Sequence, residues 1–322
     1  MDSLTKHMGP KQINETIPMT TELLQIDSRL RGFLKDMVLE TVQKYSDEIV
    51  SIALFGSATT REWVKGKSDI DFIVVVAHED KRRAVEDSVY KILLRLDRKH
   101  ELQLSKTCST FAKHQSPIIN LFYKVENALT FGIPFFVFSL NQIAFGKGTI
   151  IDGKIRVVTT IFDPISIFLA KMKHTGITIY GKDLIKEIRF SNSKLVKVRI
   201  ALAPFWLLVM SLLSFPVDEV FSLKHSIKAT VWACEDVLFA LDFPLSNTAN
   251  EVALISRIFA KENSVDLTHL RKTIALKSRP VSTKDISKGQ IGRYIVSTIL
   301  FILTLYHSAA KAFSTREHSD SG

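Results

Sequence analysis

The stretch Leu54-Phe55-Gly56-Ser57, followed after eleven residues by Asp69-Ile70-Asp71-Phe72, restricts the fold more than any other part of this 322-residue chain. Ile49 to Phe55 is a short, mostly apolar run of β-prone residues ending at Gly56, which suits a strand. Gly56 has no Cβ, so the backbone can turn sharply there and another group can approach. Ser57 stands at an N-cap position, with Ala58 to Trp63 as the first turns of a helix. Lys65-Gly66-Lys67-Ser68 breaks that helix and leads into a second strand, Asp69 to Val76. Side chains alternate along a strand, so Asp69 and Asp71 share one face while Ile70 and Phe72 point to the other.

Two carboxylates side by side repel unless a cation lies between them. Oxygen pairs of this kind suit Mg²⁺, which binds through one or two carboxylates plus substrate phosphates. Two such ions can clamp the attacking and leaving oxygens of a displacement at phosphorus. Backbone N–H groups and a serine hydroxyl at the preceding turn suit a phosphate. An Asp-X-Asp or a Gly-Ser alone is common, and most such carboxylates are solvated. The order, the spacing and the flanking apolar strands carry the signal.

A third carboxylate would complete such a site. Glu79 to Arg98 reads as a helix with Val85, Val89, Ile92, Leu93 and Leu96 on one stripe. His100 to Ser105 then alternates polar and apolar, which predicts a strand with Glu101, Gln103 and Ser105 on one face and Leu102 and Leu104 buried. On such a strand Glu101 would serve as metal ligand, as general base for an acceptor hydroxyl, or as both. The plain alternative is a surface glutamate on an edge strand.

Gly56-Ser57, Asp69-Ile70-Asp71 and the later Glu101 together resemble the DNA polymerase β-type nucleotidyltransferase superfamily. Ser68-Asp69-Ile70-Asp71 and His100-Glu101-Leu102 look like its small bacterial and archaeal members, the aminoglycoside nucleotidyltransferases among them. Thr175 to Gly181 is similar to the segment ending in Tyr-Gly that often closes the catalytic domain there. Trp63 to Asp69 resembles a loop of archaeal CCA-adding enzymes. The resemblance covers residues 28–190, and its first motif is specific for the superfamily but not for a substrate. It implies a triphosphate on Gly56, Ser57, Lys67 and Ser68, and Mg²⁺, two ions, on Asp69 and Asp71 with Glu101 as the third carboxylate. Many relatives carry an arginine two or three residues after the serine, where this chain has Thr59 and Thr60. That leaves Arg61, Lys65 or Lys67 to supply the charge.

The rest of the chain sets the organisation. Its length suggests two domains. The boundaries read as a polar N-terminal segment, 1–26; an α/β catalytic domain with a mixed sheet, 27–190; an all-α helical bundle, 191–315; and a tail, 316–322. A helix capped by Asp27 or Ser28 carries the stripe Leu30, Phe33, Leu34, Met37, Val38 and Val42. A helix over 116–130, a strand over Ile133 to Leu140, a hairpin over 150–160 and a helix from Pro164 through Lys173 follow. The segment 106–174 reads as an insertion that could form an acceptor pocket. From about residue 191 strands give way to helices.

Ile200 to Val217 is 18 residues without a charge, and Tyr294 to Leu305 is strongly apolar as well. Pro204, Ser211 and Ser214 interrupt the first and the second is short, so both read as buried core helices rather than membrane spans. Glu235-Asp236 could touch a cationic acceptor, but reads first as a solvated face.

Formal charge is +10, from 43 basic and 33 acidic residues. That favours polyanionic partners, nucleoside triphosphates and RNA among them, although no RNP, KH or zinc signature points to RNA directly. Cys108 and Cys234 are far apart, which suits a reducing, cytoplasmic setting. His78, His100 and His114 read as surface or packing residues. The apolar helical half could also bury a homo-oligomer interface.

The reading is an α/β nucleotidyltransferase domain followed by helices. It would move a nucleoside monophosphate from an NTP, ATP first, to a hydroxyl on a small molecule. The alternatives are transfer to an RNA 3′ end, transfer to a protein hydroxyl, or a non-catalytic nucleotide-binding protein.

Overall fold

The computed structural model describes residues 26, 28–60, 62–65, 68, 70–102, 104, 117, 135–144, 164–259, 265–278 and 286–319. They fall into two compact units. The first holds the residues up to 107 together with 134–147 and 176–188.

Its centre is β1, Ile49–Phe55, which is buried along nearly its whole length. β1 pairs antiparallel with β2, Asp71–Val76, on one side and with β4, Ile177–Gly181, on the other. β2 pairs in parallel with β3, Phe135–Ser139, giving the order β3-β2-β1-β4. The end of β1 and the starts of β2, β3 and β4 therefore gather at one end of the sheet. Phe72 and Phe135 lie opposite each other there, rings stacked with centroids 5.5 Å apart, and fix the parallel register. β4 closes the sheet at Gly181, whose φ is +76°; a Cβ there would lie 2.1 Å from the Val50 carbonyl oxygen. The Tyr180-Gly181 segment thus forms an edge strand on β1.

Two helices add a layer to this sheet: α1, Ser28–Lys44, and α2, Arg82–His100. Both expected stripes are buried, Leu30 to Val42 on α1 and Val85 to Leu96 on α2. Polar groups join the two helices: Lys44 to Ser88 at 2.7 Å, Arg95 to Glu40, and Lys99 and His100 to Asp36 at 2.7 and 2.8 Å. Burial opposes the charge on Asp36, yet the hydrogen bonds from Lys99 and His100 hold its carboxyl below the ordinary range. A fully buried Leu or Phe is worth roughly 1.5–3 kcal/mol and an exposed ion pair about 0–1 kcal/mol, so the apolar stripes hold this layer together. A short helix α3, Leu140–Ala144, follows β3.

The second unit is helical among the described residues. It contains α4, Pro164–Thr175, and then α5, Lys194–Ile200; α6, Ala203–Ser214; α7, Glu219–Ala240; α8, Thr248–Ile258; α9, Leu267–Lys277; and α10, Lys288–Ser319. Helix starts follow the sequence signals. Ser193, Asp218, Asn247 and Asp266 each accept a backbone N–H of the first turn that follows. α7 is the central helix, buried over most of its surface, with Ala229, Ala233, Val237 and Leu238 in the core. Buried serines seam α6 to α7: Ser211 Oγ lies 3.0 and 2.7 Å from the hydroxyls of Ser222 and Ser226.

Three expectations are corrected here. Ile200–Val217 is not one buried helix: it breaks at residues 201–202, just before Pro204, and Leu202, Val209, Leu212, Leu213 and Val217 are exposed. Tyr294 to Leu305 is likewise only half buried, with Val296, Leu300 and Leu303 outside. Glu235 and Asp236 are buried rather than solvated, because Lys171 pairs with Glu235 and the Tyr306 hydroxyl donates to Asp236 at 2.8 Å. The expected helix over 116–130, apart from Pro117, and the hairpin over 150–160 lie outside the described residues.

Candidate active site

The candidate site lies at the sheet end where β1 finishes and β2 begins, within the first unit. Phe55, the last residue of β1, pairs with Asp71, the first of β2. Gly56 follows with φ +72°, and a Cβ added there would sit 2.6 Å from Asp71 Oδ2. Only glycine leaves room for that carboxylate over the turn. Asp71 and Ser57 are half-buried, while Gly56, Ala58 and Ile70 are buried beneath them.

The turn after β1 differs from the expected helix. Gly56–Ala58 is a single 3₁₀ turn, and Phe55 precedes it in extended conformation without a side-chain cap. The cause lies in Thr59 and Thr60. Their N–H groups donate to the Gly56 carbonyl at 3.1 and 3.2 Å, and the Thr59 hydroxyl donates to the same oxygen at 2.9 Å. The Thr60 hydroxyl reaches the Ser57 carbonyl at 3.5 Å. The two hydroxyl bonds compete with a helical ladder; Thr60 N–H makes one helical bond, but Glu62 N–H then donates to the Ser57 carbonyl, five residues back, at 3.1 Å. A second turn closes before β2: Ser68 N–H donates to the Val64 carbonyl at 2.9 Å, and Val64 N–H donates to Ser68 Oγ at 3.0 Å. Ser68 thus shapes the loop that delivers Ile70 into the core and Asp71 onto the opposite face. Asp69, Lys67 and Arg61 lie outside the described residues.

Glu101 is not on a strand. It is the C-cap of α2 in the left-handed region, φ 51° and ψ 37°, and it is exposed. Asp97 holds the chain that follows: its carbonyl accepts Leu102 N–H at 3.2 Å and its carboxylate accepts Leu104 N–H at 2.9 Å. Leu102 and Leu104 are buried, as the alternation predicts, but by a capped turn. The place beside β2 belongs to β3, whose Phe135–Ser139 brings no carboxylate. Glu101 therefore ends a helix of the helical layer. Gln103 and Ser105 lie outside the described residues.

Asp71 is thus brought together with Gly56 and Ser57, whereas Glu101 stands apart from the sheet. The donors at this end are a carboxylate, a serine hydroxyl and backbone groups, all suited to hard cations and phosphates. Among the described residues no group of three His, Cys, Asp or Glu is placed to hold a metal ion. Sequence reasoning missed β3 as the parallel neighbour of β2. The run Phe135-Phe136-Val137-Phe138 was the available signal, since apolar residues on both faces mark a buried strand. His78 and His100 are placed as expected, the first exposed and 3.0 Å from Glu48, the second packed against Phe33 and Asp36; His114 lies outside the described residues.

Residues 35–126 match the family model described as a nucleotidyltransferase domain. No curated protein sequence matches the chain. Among solved structures the chain is similar to spectinomycin adenyltransferase AAD(9) from Enterococcus faecialis, determined with ATP and spectinomycin. Identity is 12%, the match covers 88% of this chain and 97% of that one, and the TM-score is 0.44.

Proposed function

We propose, from the premise of a polymerase β-type nucleotidyltransferase domain over residues 35–126, that the protein moves a nucleoside monophosphate from a nucleoside triphosphate to an acceptor hydroxyl. The observation that carries this reading is the Asp71 carboxylate held over Gly56, where β1 and β2 meet. Phosphoryl-type transfer needs little covalent work from the protein. Positioning and neutralisation of phosphate charge supply most of the catalysis.

Gly56 and Ser57 would face the triphosphate, with Lys67 as the cation that the neighbouring threonines do not provide. Asp71, with Asp69 two residues before it in the sequence, would hold Mg²⁺. When bound, that ion would offset phosphate charge and orient the α-phosphate for in-line attack. The acceptor oxygen bonds to the α-phosphorus as the bond to pyrophosphate breaks, and the hydroxyl proton passes to a base. Glu101 enters this proposal from the end of α2.

The acceptor is read as a small molecule, because the sequence carries no RNA-binding signature despite its basic charge, and ATP is taken as the first donor. The ATP donor and the buried free thiol of Cys234 fit a cytoplasmic setting.

The test uses each of the four nucleoside triphosphates labelled at the α-phosphate, with Mg²⁺ and two acceptor pools. One pool is total small RNA; the other is a protein-free metabolite extract supplemented with aminoglycosides. Asp71→Asn protein is the control. Label in a small product, absent with the variant, is the expected result. Label in RNA would move the acceptor to the nucleic-acid class, and no label in either pool would overturn the reading. Glu101→Gln decides the base: unchanged turnover removes Glu101 from the chemistry.

A further inference from the structure

Every large hydrophobic side chain that is exposed among the described residues lies in two stretches of the second unit. One is α5–α6 and its end, with Leu195, Val198, Leu202, Val209, Leu212, Leu213 and Val217 at 42–67% exposure. The other is Val296, Leu300 and Leu303 on α10, at 50–60% exposure. Scattered single leucines on a surface need no explanation, but a set confined to one place does.

The two stretches run side by side. Phe205 of α6 packs its ring 5.8 Å from Tyr306 of α10, and Phe215 lies against Gly292 fourteen residues earlier. At the other end Lys194 and Lys197 lie over Phe313, 6.0 and 5.5 Å from the ring centroid. The stretches are therefore antiparallel neighbours, each packing an inner face on α7. Their outer faces make one apolar strip about 30 Å long at 1.5 Å per residue.

Charge around this strip is predominantly basic, with Asp218 and Glu219 just past Val217 and Asp242, 3.1 Å from Lys197 Nζ, as acidic exceptions. Residues 189–217 and 287–316 contain eight Lys or Arg and no Asp or Glu. Lys194, Lys288, Arg293 and Lys311 are exposed, the first and last at one end of the strip and the middle two at the other. Lys288 also pairs with Glu219 at 3.3 Å.

We infer that this strip docks the protein on an anionic lipid surface, with the Leu and Val side chains entering the headgroup boundary and the basic ends meeting lipid phosphates and carboxylates. Apolar side chains flanked by Lys and Arg are what such a surface binds. A second copy of the chain would bring two basic rims together, which opposes self-association through this face. Packing opposes crossing of the bilayer. Lys194–Ser214 and Lys288–Ser314 are long and apolar enough to span, yet 44% and 39% of their apolar windows are buried in the protein. Their inner faces are committed to α7, which carries Lys224, Lys228, Glu235 and Asp236. The inference is independent of the nucleotide chemistry.

Vesicle flotation with the full chain tests it. One set of vesicles is phosphatidylcholine; the other adds phosphatidylserine. The expected result is binding to the second set only, weakened by salt. Binding should fall at least ten-fold in Leu213→Gln/Leu300→Gln/Leu303→Gln, and similarly in Lys194→Glu/Arg293→Glu/Lys311→Glu. Unchanged melting temperatures would show that both variants fold. Failure of the wild type to bind anionic vesicles overturns the inference, as does binding untouched by either variant. Light scattering without lipid covers the other occupant: a dimer abolished by the glutamine variant assigns the strip to a second copy and overturns it as well.

Discussion

Two glycines with left-handed φ differ in what their missing Cβ protects. At Gly56 the neighbour is a carboxylate oxygen, 2.6 Å from the Cβ position; at Gly181 it is a backbone carbonyl, 2.1 Å away. A side chain can rotate aside, and a strand backbone cannot. Gly56→Ala carries αL strain of about 1–2 kcal/mol as well, but with no backbone clash it is expected to keep the fold and misplace Asp71, lowering nucleotide transfer by roughly 10²-fold. Gly181→Ala should instead destabilise the sheet, by roughly 2 kcal/mol or more from αL strain plus the clash with Val50. Steady-state turnover and thermal melts of both variants check the contrast; a Gly56→Ala protein with wild-type turnover would remove the turn from the site. Asp71→Asn keeps size and shape but removes the charge, so transfer should vanish at an unchanged melting temperature. Gly56, Ser57 and Asp71 were legible in the sequence because their juxtaposition depends on one strand pair joined by a short loop. Glu101 was misplaced because a buried-leucine alternation has the same signature in a strand and in a capped turn, and only the Asp97 cap decides between them.

At the scale of elements, the stripes of α1 and α2 were legible because helical periodicity repeats over several turns, which averages out single exceptions. The apolar run over Ile200–Val217 was misread, since composition reports hydrophobicity and not which side is covered. Two buried titratable groups were invisible too. Glu251 on α8 accepts Ser246 N–H at 2.9 Å with one oxygen, while its other oxygen is buried without a hydrogen bond. Burial, and then the charge of Glu235, push its carboxyl up to about 7, against the opposing pull of Lys171 and Lys277. A folded-state carboxyl raised above its ordinary 4.5 adds no penalty below that pH and a full penalty above about 7. Glu251→Gln should accordingly gain stability over wild type as pH rises from 4.5 to 7, by at most about 3 kcal/mol. His269 on α9 behaves oppositely. Burial holds its imidazole down at about 4, between Thr230 and Thr298 and beside Tyr294 and Phe301. Its contribution is present above pH 6.5 and lost as pH falls toward 4, a loss that His269→Gln should not show. Melting temperatures of the two variants against pH decide both signs; parallel curves for variant and wild type would sink either assignment.

For the whole molecule, the division into an α/β unit and a helical unit separates these ionisations. In the first unit the lowered carboxyls are those of Asp36 and Asp183, which lose stability only as pH falls below 3.8. In the second unit Glu251 and Asp236 are raised by burial, and His269 and His174 are lowered by it. The raised acids make stability fall with rising pH and the lowered histidines make it rise, so the two partly cancel near pH 5–6 in the wild type. Each unit buries its own hydrophobic core, so calorimetry is expected to show two transitions. The transition of the first unit should stay in place in variants of the second. Glu251→Gln and His269→Gln should shift only the other transition, and in opposite pH ranges. Adding a nonhydrolysable ATP analogue with Mg²⁺ identifies the first transition independently, because ligand that binds only the folded state raises the melting point of the unit that holds it. If the analogue and the substitutions move the same transition, or if one transition moves as a whole, the units are a single cooperative body and the separation of site from helical unit fails.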